Sequence, residues 1–482
     1  MDPATAGIIL LCVMFVTLAF GLWIGISLAA VGYVAMALLS TRPIGLNFGT
    51  TLWSANTSWA LTALPMFIWM GEILFRSRLA EDMFKGLAPW MQRLPGRLLH
   101  TNVFGCGIFA AISGSSAATA ATIGKMTIPE LRKRGYDDFM LVGSLAGSGT
   151  LGLLIPPSII MIVYGVAAEV SIARLFIAGV IPGITLMMIF SFIVMGYAAL
   201  YPQRIPPRDP IMTLKEKVWE SRRLIPTVLL IVTVLGSIYG GVATPTESAV
   251  LGVVGALILS GIDKLMERTH AIVVGLAVLV SAIIGITEIA HWDQVGALLL
   301  IGLLVYTTAV GGISWHVFKE SALGATRTNC MIALILSGAA FLSTAMGFTG
   351  LPRLFADWII GLNLSQAGFI AALTVVFIIM GCFIDGISMV VLTTAVILPA
   401  VKAQGIDLLW FGIFIVLVVE MAQITPPVGF NLYVLQSLAK KSMGYVALAS
   451  LPFFVGMVVM VAIVFFVPDL VTWLPNQMLG QK

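Results

Sequence analysis

The sequence predicts an all-α protein that crosses a membrane many times and contains two inverted repeats. Apolar residues make up 59% of its 482 positions and charged residues only 10%, whereas soluble domains carry about 25% charged residues. Many apolar runs reach the roughly 17–25 residues that a membrane span requires. Paired motifs also recur at one fixed offset along the chain. Lipid must therefore be the main solvent of this protein.

Apolar runs predict the membrane spans in order. They lie at about 6–22, 24–40, 61–77, 139–165, 172–200, 224–240, 245–262, 271–287, 295–310, 328–348, 408–438 and 446–473. The first run continues into the second, which is too long for a signal peptide, and no basic segment precedes it. We interpret it as retained membrane structure.

Two further apolar stretches, at about 101–128 and 367–400, are interrupted and are predicted to be re-entrant hairpins. Basic clusters around Arg97 and Arg132 flank the first hairpin, so the positive-inside rule makes it enter and leave from the cytoplasm. The flanks of the second carry little net positive charge, so it enters from outside. With both hairpins, every basic cluster lies inside and both chain termini lie outside.

An internal repeat links the two hairpins. Pro129, Gly135, Asp137 and the pair Pro156-Pro157 are each followed 270 residues later by the same residue type. Proline removes a helical hydrogen bond, and irregular backbone is tolerated within a membrane only where it lines a cavity or is buried in protein. Matched breaks in opposite orientation are therefore typical of secondary transporters. The alternative is a pair of ordinary proline kinks.

The first hairpin carries a cluster of small polar residues, Ser113-Gly114-Ser115-Ser116, followed by Thr119. Hydroxyl and carbonyl oxygens are hard donors that suit a small cation. Small residues also allow helices to pack closely. For this hairpin taken alone, a cation site and a packing surface both remain open.

The second hairpin carries a lone acid, Asp385, which is followed by Gly386 and Ser388. An acid within a membrane is costly and indicates function. Asp385 is a candidate sodium ligand, proton carrier or cap of the hairpin tip. Glu420 and Asn431, in the next interrupted helix, are candidates for the wall of a cavity, although Glu420 could instead pair with a neighbouring helix.

No catalytic or metal-binding motif accompanies these residues. The cysteines occur singly, the histidines lie far apart, and no Walker, zinc or catalytic-triad pattern is present. The segment from Thr244 to Glu247 is interpreted as a helix capping box. The net charge of +4 says nothing about nucleic acid. The chain is predicted not to be an enzyme, to need no cofactor and to have no nucleic-acid partner.

Taken together, the motifs resemble the large membrane subunit of the tripartite ATP-independent periplasmic (TRAP) transporters, which is related to C4-dicarboxylate and sialic-acid permeases. The resemblance covers about 6–255 and 312–473 and follows the family's order. The motifs are Ile112-Ser-Gly-Ser-Ser116, Gly149-Thr-Leu-Gly-Leu-Leu-Ile-Pro-Pro-Ser158, Thr244-Pro-Thr-Glu-Ser248, Phe383-Ile-Asp-Gly386 and Ile424-Thr-Pro-Pro-Val-Gly-Phe-Asn431.

The resemblance implies a sodium-driven elevator in the inner membrane that imports a small organic anion. A soluble periplasmic protein would deliver the substrate, and a small four-helix membrane subunit would extend the scaffold, with both termini periplasmic. The sodium candidates are Ser113, Gly114, Ser115, Ser116, Gly147 and Thr150 around the first hairpin, and Asp385, Gly386, Thr425, Pro426 and Pro427 around the second. The candidates for the substrate cavity are Thr119, Pro156, Pro157, Ser158, Ser388, Thr393, Gly429 and Asn431.

The predicted organisation has five parts. They are scaffold helices in 1–100, a first transport repeat in 101–165, further scaffold in 166–366, a second transport repeat in 367–438 and a C-terminal scaffold helix in 439–482. About 260–310 looks like an insertion of two spans within the static scaffold. The family often has an acid after the first Ser-Gly-Ser, but Ala117 to Thr122 are uncharged here. The alternative function is a stand-alone carrier of organic anions, coupled to sodium or protons, that needs no binding protein.

Overall fold

The computed structural model describes residues 3–77, 79–207, 212–260, 314–349, 365–381, 384–426 and 429–479. Within these ranges all regular secondary structure is helical. The helices are α1 Pro3–Ala19, α2 Ile24–Leu39, α3 Ile44–Asn56, α4 Ala63–Phe75, α5 Leu79–Met91, α6 His100–Ser113, α7 Ser116–Lys133, α8 Asp138–Leu154, α9 Ile159–Ala167, α10 Ile172–Leu200, α11 Leu214–Ser221, α12 Ile225–Tyr239, α13 Pro245–Ser260, α14 Trp315–Thr349, α15 Gln366–Gly381, α16 Gly386–Ala403, α17 Leu408–Gln423, α18 Phe430–Ala439, α19 Met443–Phe466 and α20 Asp469–Leu479. The two additional spans predicted at about 260–310 lie outside the described residues, and so does Pro427.

Several helices are suited to a membrane. In the part of the chain that the structure describes, four helical stretches are long and apolar enough to cross it, namely Ile172–Leu200, Leu214–Tyr239, Trp315–Gly347 and Met443–Phe466. The consecutive helices α8 and α9 together form a further candidate that is bent by 41°. Large apolar side chains such as Phe192, Val232 and Leu451 point outward from these helices. Such extensive apolar exposure indicates a lipid-facing surface.

Both interrupted apolar stretches are hairpins, as predicted. Only Gly114 and Ser115 separate α6 from α7, and residues 382–385 separate α15 from α16. Gly114 has a φ of 60°, a left-handed conformation that glycine adopts readily. Helix α6 has 14 residues and is therefore about 21 Å long, whereas the apolar core of a bilayer is about 30 Å thick. Helix α6 is therefore too short to cross that core by itself, as a re-entrant hairpin requires.

The two repeats have matching helices at the predicted offset. Helices α7 and α16 begin at Ser116 and Gly386 and end at Lys133 and Ala403, and both differences are 270. Helices α8 and α17 begin at 138 and 408, again 270 residues apart. The structure thus confirms that the repeat seen in the sequence is a repeat of structure.

The turn that follows each hairpin explains why the sequence repeats Gly-x-Asp. Gly135 and Gly405 have φ values of 79° and 67°, which suits the residue just after a helix. Asp137 and Asp407 then cap the next helix, since each accepts a hydrogen bond from the backbone N–H three residues further on. One helix is therefore ended and the next one started within a few residues.

The helices pack in two groups. Helices α2, α3, α4, α13 and α14 pack on one another, and α6–α9 and α15–α18, which we call the hairpin unit, form a second group that meets the first where α4 packs on α6 and α14 packs on α16. Helices α10 and α19 lie against α8 and α17 of the hairpin unit, although the sequence assigns both to the scaffold. The division into a static scaffold and a transport unit remains a prediction, and this packing places α10 and α19 beside the transport unit.

A charged cluster fastens the two repeats together at one end of the hairpin unit. The Arg132 guanidinium donates to both carboxylate oxygens of Asp138, at 2.6 and 3.0 Å, and to the carbonyl of Ala439 at 2.7 Å. The Lys441 ammonium lies 3.0 Å from the same carboxylate. Charge-assisted bonds of this kind are the stronger class of hydrogen bond, so the ends of α7, α8 and α18 are held as one block.

Three elements differ from the sequence prediction. Helix α14 begins at Trp315 rather than near 328, because Lys319, Glu320 and Arg327 lower the hydropathy of its first turns without stopping the helix. Helices α3 and α5 are not predicted as spans, because their mixed polar and apolar composition yields no long apolar window.

Candidate functional site

The tip of the first hairpin is held together by its own hydroxyl groups. The Thr119 hydroxyl donates to the carbonyl of Ser115 at 2.8 Å. Ser113 Oγ lies 2.6 Å from Thr119 Oγ1, within hydrogen-bond distance, and 3.4 Å from the carbonyl oxygen of Ser115. Ser115 also caps α7 through its own side chain. Predicted sodium and cavity residues therefore lie together at this tip.

This tip rests in the break of the first interrupted helix. The backbone N–H of Ile159 donates to the carbonyl of Gly114 at 3.3 Å. A Cβ added to Gly114 would lie 2.8 Å from the carbonyl oxygen of Pro157. Ser158 caps α9 by accepting from a backbone N–H. The proline pair thus opens the helix where the hairpin tip approaches, as the sequence predicts for Pro156 and Pro157.

The second hairpin tip is built around Asp385. One carboxylate oxygen accepts from the backbone N–H groups of Ile387 and Ser388, at 3.1 and 3.2 Å, and the other accepts from the Ser388 hydroxyl. Asp385 therefore caps α16, which was one of three roles considered for it. A role as sodium ligand or proton carrier remains a prediction.

Gln423, the last residue of α17, contacts both hairpin tips. The Ser116 hydroxyl donates to Gln423 Oε1 at 2.5 Å, which joins the first repeat to the second. A Cβ added to Gly386 would lie 2.9 Å from Gln423 Nε2 and 2.6 Å from Val419 Cγ1. We call the two tips together with Gln423 the hairpin junction.

Gln423 is not among the residues that the sequence predicts for the site. A signal is present, because Gln423 is an amide in an otherwise apolar helix, just before Thr425-Pro426. Helical spacing alone does not tell which side of α17 meets the hairpins, so the signal could not be assigned without the fold.

The second break is organised by carbonyl groups. The Thr425 hydroxyl donates to the carbonyl of Met421 at 2.7 Å, and the backbone N–H of Gly429 donates to the carbonyl of Thr425 at 3.1 Å. A Cβ on Gly429 would lie 2.6 Å from the carbonyl oxygen of Gln423. Pro426 is exposed within this break. Several backbone oxygens are thus brought close to the hairpin junction.

Gly147 and Thr150 lie on another face of α8. A Cβ added to Gly147 would lie 2.5 Å from the side chain of Phe453 in α19, and the Thr150 hydroxyl donates to the carbonyl of Gly147 at 2.7 Å. On the same helix, Gly152 faces Ser115 of the hairpin tip. The structure therefore brings Gly152, rather than Gly147 and Thr150, to the first tip, and a sodium role for the latter two remains a prediction.

Within the described ranges, three residues predicted to line the cavity make no hydrogen bond to either hairpin tip. The Thr393 hydroxyl donates to the carbonyl of Met389 within α16. Asn431 is fully buried in α18, and its amide nitrogen and oxygen have no hydrogen-bond partner among the described residues. Glu420 of α17 is buried in the same way. Such groups are rare in protein interiors and point to a ligand, a proton or bound water.

The hairpin junction can in principle bind ions of both signs. Helix α7 begins there at Ser116, and helix N-termini favour anions, whereas the N-terminus of α16 is already occupied by the Asp385 carboxylate. The hydroxyl and carbonyl oxygens of the tips favour a small cation. Among the described residues, no three His, Cys, Asp or Glu side chains are grouped as metal ligands.

Comparison with known proteins agrees with this architecture. A sequence-family model, the DctM component of the tripartite ATP-independent periplasmic transporter, matches residues 11–286 and 262–470. The C4-dicarboxylate TRAP transporter large permease protein DctM of Vibrio cholerae serotype O1 is 29% identical over 431 residues, which are 88% of this chain and 87% of the relative. The sialic acid TRAP transporter large permease protein SiaM of the same organism is 26% identical and covers 95% of this chain and 96% of its own.

A further relative and one solved structure extend the comparison. The isethionate TRAP transporter permease protein DctMQ of Oleidesulfovibrio alaskensis is 28% identical over 94% of this chain and 64% of its own length. The crystal structure of the Alcanivorax borkumensis YdaH transporter superposes with a TM-score of 0.56 at 14% identity, covering 94% of this chain and 99% of that one. At that identity the likeness concerns the fold alone.

Proposed function

Because this chain belongs to the DctM component family of tripartite ATP-independent periplasmic transporters, and is thus a large permease subunit rather than an enzyme, we propose that it imports a small organic anion by a sodium-coupled elevator movement. The observation that carries the proposal is the hairpin junction, where both hairpin tips meet Gln423. Because both repeats belong to the hairpin unit, a site that they form together would be carried across the membrane when that unit moves. The family and the apolar helices make the chain a multi-pass protein of the inner membrane.

The substrate class is supported by the junction and by the relatives. Helix α7 has its N-terminus at the junction, where Ser116 and Gln423 supply polar groups, while the Asp385 carboxylate already caps the neighbouring α16. Helix N-termini and amide N–H groups bind carboxylates and related anions. Relatives of this chain are named for C4-dicarboxylates, sialic acid and isethionate, and all three are small organic anions at neutral pH. A carboxylate or sulfonate is the expected ligand of this chain.

Sodium coupling is supported by the neutral oxygens of the first tip. Ser113, Ser115 and Thr119 place hydroxyls and a carbonyl within one small loop. A monovalent cation with hard-ligand preference suits such a set. It would also compensate the charge of an anion that has no basic partner at the junction among the described residues.

The elevator movement is supported by a cavity between the two groups of packed helices. Between α3 and α14 on one side and α9 and α16 on the other lies a cavity of about 620 Å³. Its wall includes Thr51, Ser343, Thr394 and Lys402. A polar cavity at the boundary of two packed groups weakens their contact and admits water to the hairpin unit. We assign α10 and α19 to the moving group, because they pack on α8 and α17.

Two partners complete the proposed system. They are a periplasmic binding protein that delivers the substrate and a small four-helix membrane subunit on the scaffold. The basic cluster of Arg132, Lys133 and Lys441 marks the cytoplasmic end of the hairpin unit under the positive-inside rule. Both chain termini are then periplasmic.

The test is uptake by reconstituted vesicles. The chain is reconstituted with the binding protein and small subunit encoded beside it, and accumulation of the ligand of that binding protein is followed. Replacing sodium with potassium at fixed membrane potential should abolish accumulation. Unchanged uptake that responds to a pH gradient would contradict sodium coupling, and uptake by this chain alone would favour the stand-alone carrier.

A further inference from the structure

Glu420 is a buried acid that the proposed mechanism does not use. It lies in α17, one turn before the second break, and its side chain is fully buried. Neither carboxyl oxygen completes a hydrogen bond with a described residue. The backbone of Leu154, at the end of α8 and next to the first break, approaches it. Glu420 therefore lies between the two breaks of the hairpin unit.

No described basic side chain compensates a charge at this position. Helix α7 meets α17 through Ser116, and its titratable side chains are Lys125, which lies over Phe75, Glu130, which pairs with Arg134, Arg132, which binds Asp138, and the exposed Lys133. The other helices packed on α17 are α8, α9, α10, α15, α16, α18, α19 and α20. Their titratable side chains are Asp138, Tyr164, Arg174, Tyr197, Lys402, Tyr433, Tyr445 and Asp469, with none on α15. Asp138 binds Arg132 and Lys441, Tyr164 donates to the carbonyl of Leu408, Arg174 donates to Asn476, and Tyr197 donates to Asp137. Lys402 lines the cavity of about 620 Å³ between α14 and α16, and the ring of Tyr445 contacts the Lys441 ammonium. Tyr433 is exposed, and Asp469 is the first residue of α20.

A metal ion fits this position less well than a proton does. A sodium or calcium ion needs several oxygen ligands, whereas the neighbours of Glu420 along α17, Val416, Leu417 and Met421, are buried apolar side chains. An ionised carboxylate without partners is strongly disfavoured in an apolar interior. A proton needs no ligand other than the carboxyl itself. It converts the group to a neutral acid and gives it an O–H donor.

We propose that Glu420 is a proton-binding site of the hairpin unit, occupied when the two broken helices are packed together and emptied when the breaks open to water during transport. Binding forms one O–H bond between a carboxylate oxygen and a proton taken from water, with no transfer of electrons. The coupling part of this inference rests on the proposed function, whereas the binding part does not.

The binding part is tested by infrared spectroscopy of the purified chain. The wild type should show the carbonyl band of a protonated carboxylic acid at neutral pH. That band should be lost in Glu420→Gln and kept in Glu169→Gln, which changes an exposed acid. Equal spectra for the wild type and Glu420→Gln would overturn the proposal. If Glu420→Gln does not fold, Glu420→Thr replaces it, since threonine occupies the equivalent position, Thr150, in the first repeat.

The coupling part is tested by uptake at fixed sodium gradient and varied external pH. Uptake by the wild type should change with pH, whereas uptake by Glu420→Gln, which mimics the protonated form, should be independent of it. The same pH dependence in both proteins would overturn the proposal. Loss of sodium dependence in both would contradict the proposed function and leave the infrared result intact.

Discussion

Replacing Gly152 with alanine should displace the first hairpin tip from the broken helix on which it rests. A Cβ on Gly152 would lie 2.5 Å from the carbonyl oxygen of Ser115 and 2.7 Å from Thr119 Oγ1. Ordinary contact begins at 3.4 Å, so the tip must retreat by about 0.9 Å, the difference between 3.4 and 2.5 Å. The tip cannot retreat by rotating one side chain, because the atoms in the way are a backbone carbonyl and a hydroxyl bonded to it.

The size of the effect follows from the cost of overpacking, about 1–3 kcal/mol for an added methyl group in a tightly packed interior. If this energy opposes the conformation that binds sodium, half-maximal uptake should need about 5- to 150-fold more sodium. The assay is the sodium dependence of substrate uptake in proteoliposomes.

Gly196→Ala is the matched control for this substitution. Gly196 lies in α10, and a Cβ added there meets nothing within 4 Å. This variant should transport like the wild type. A wild-type sodium dependence in Gly152→Ala would refute the argument that this tip forms part of the sodium site.

Three further predictions concern the contacts of the hairpin unit. Ser116→Ala and Gln423→Met remove the same hydrogen bond, so the effect of the double variant on the substrate concentration for half-maximal uptake should differ from the sum of the two single effects, by about 0.5–1.5 kcal/mol when converted to free energy. Additive effects would show that the 2.5 Å contact does not form in the working protein. Asp385→Asn should remain monodisperse, because asparagine also caps helices, yet lose sodium-dependent uptake; normal uptake would leave Asp385 as a cap only. Arg132→Ala should lower the free energy of unfolding in detergent by about 1–2 kcal/mol, because it removes a bidentate ion pair and a bond to Ala439. Arg134→Ala, which removes an exposed pair with Glu130, should cost less than about 0.5 kcal/mol, and equal losses would contradict the cluster's role.

The parts of the fold that the sequence predicts are those that local chemistry fixes. Hydropathy over a window locates helices such as α10 and α19, because lipid requires apolar side chains on their outer surfaces. The hairpins and the repeat are also predictable, since Gly135 and Gly405 end helices and Asp137 and Asp407 start them. These residues act within one or two turns of where they stand in the chain.

The parts that could not be predicted depend on which helix faces meet. Gly147, Thr150 and Gly152 all lie in one Gly-rich stretch of α8, and only the fold shows that Gly152 faces the hairpin tip while the other two face α19. The role of Gln423 depends in the same way on the packing of α17 between the tips. Composition cannot tell that α10 and α19 pack on the hairpin unit, because a lipid-facing helix of either group has the same apolar sequence.

The two repeats have matching helices, but their polar side chains differ at corresponding positions. At the offset of 270, Asp407 corresponds to Asp137, whereas Asp385 corresponds to Ser115 and Glu420 to Thr150, so two of the three acids of the second repeat stand where the first has a hydroxyl. Ser115 and Asp385 both cap a helix with an oxygen acceptor, which either residue can provide.

The inner pair, Thr150 and Glu420, behaves differently. The Thr150 hydroxyl donates a hydrogen bond to the carbonyl of Gly147 in its own helix. An ionised Glu420 has no proton and cannot donate. Only a protonated carboxyl can act as a donor there, as the hydroxyl does in the first repeat. If the repeats began as equivalent halves, the change from a hydroxyl to an acid at this position gave the second half a donor that can be lost to water, and the first half kept one that cannot.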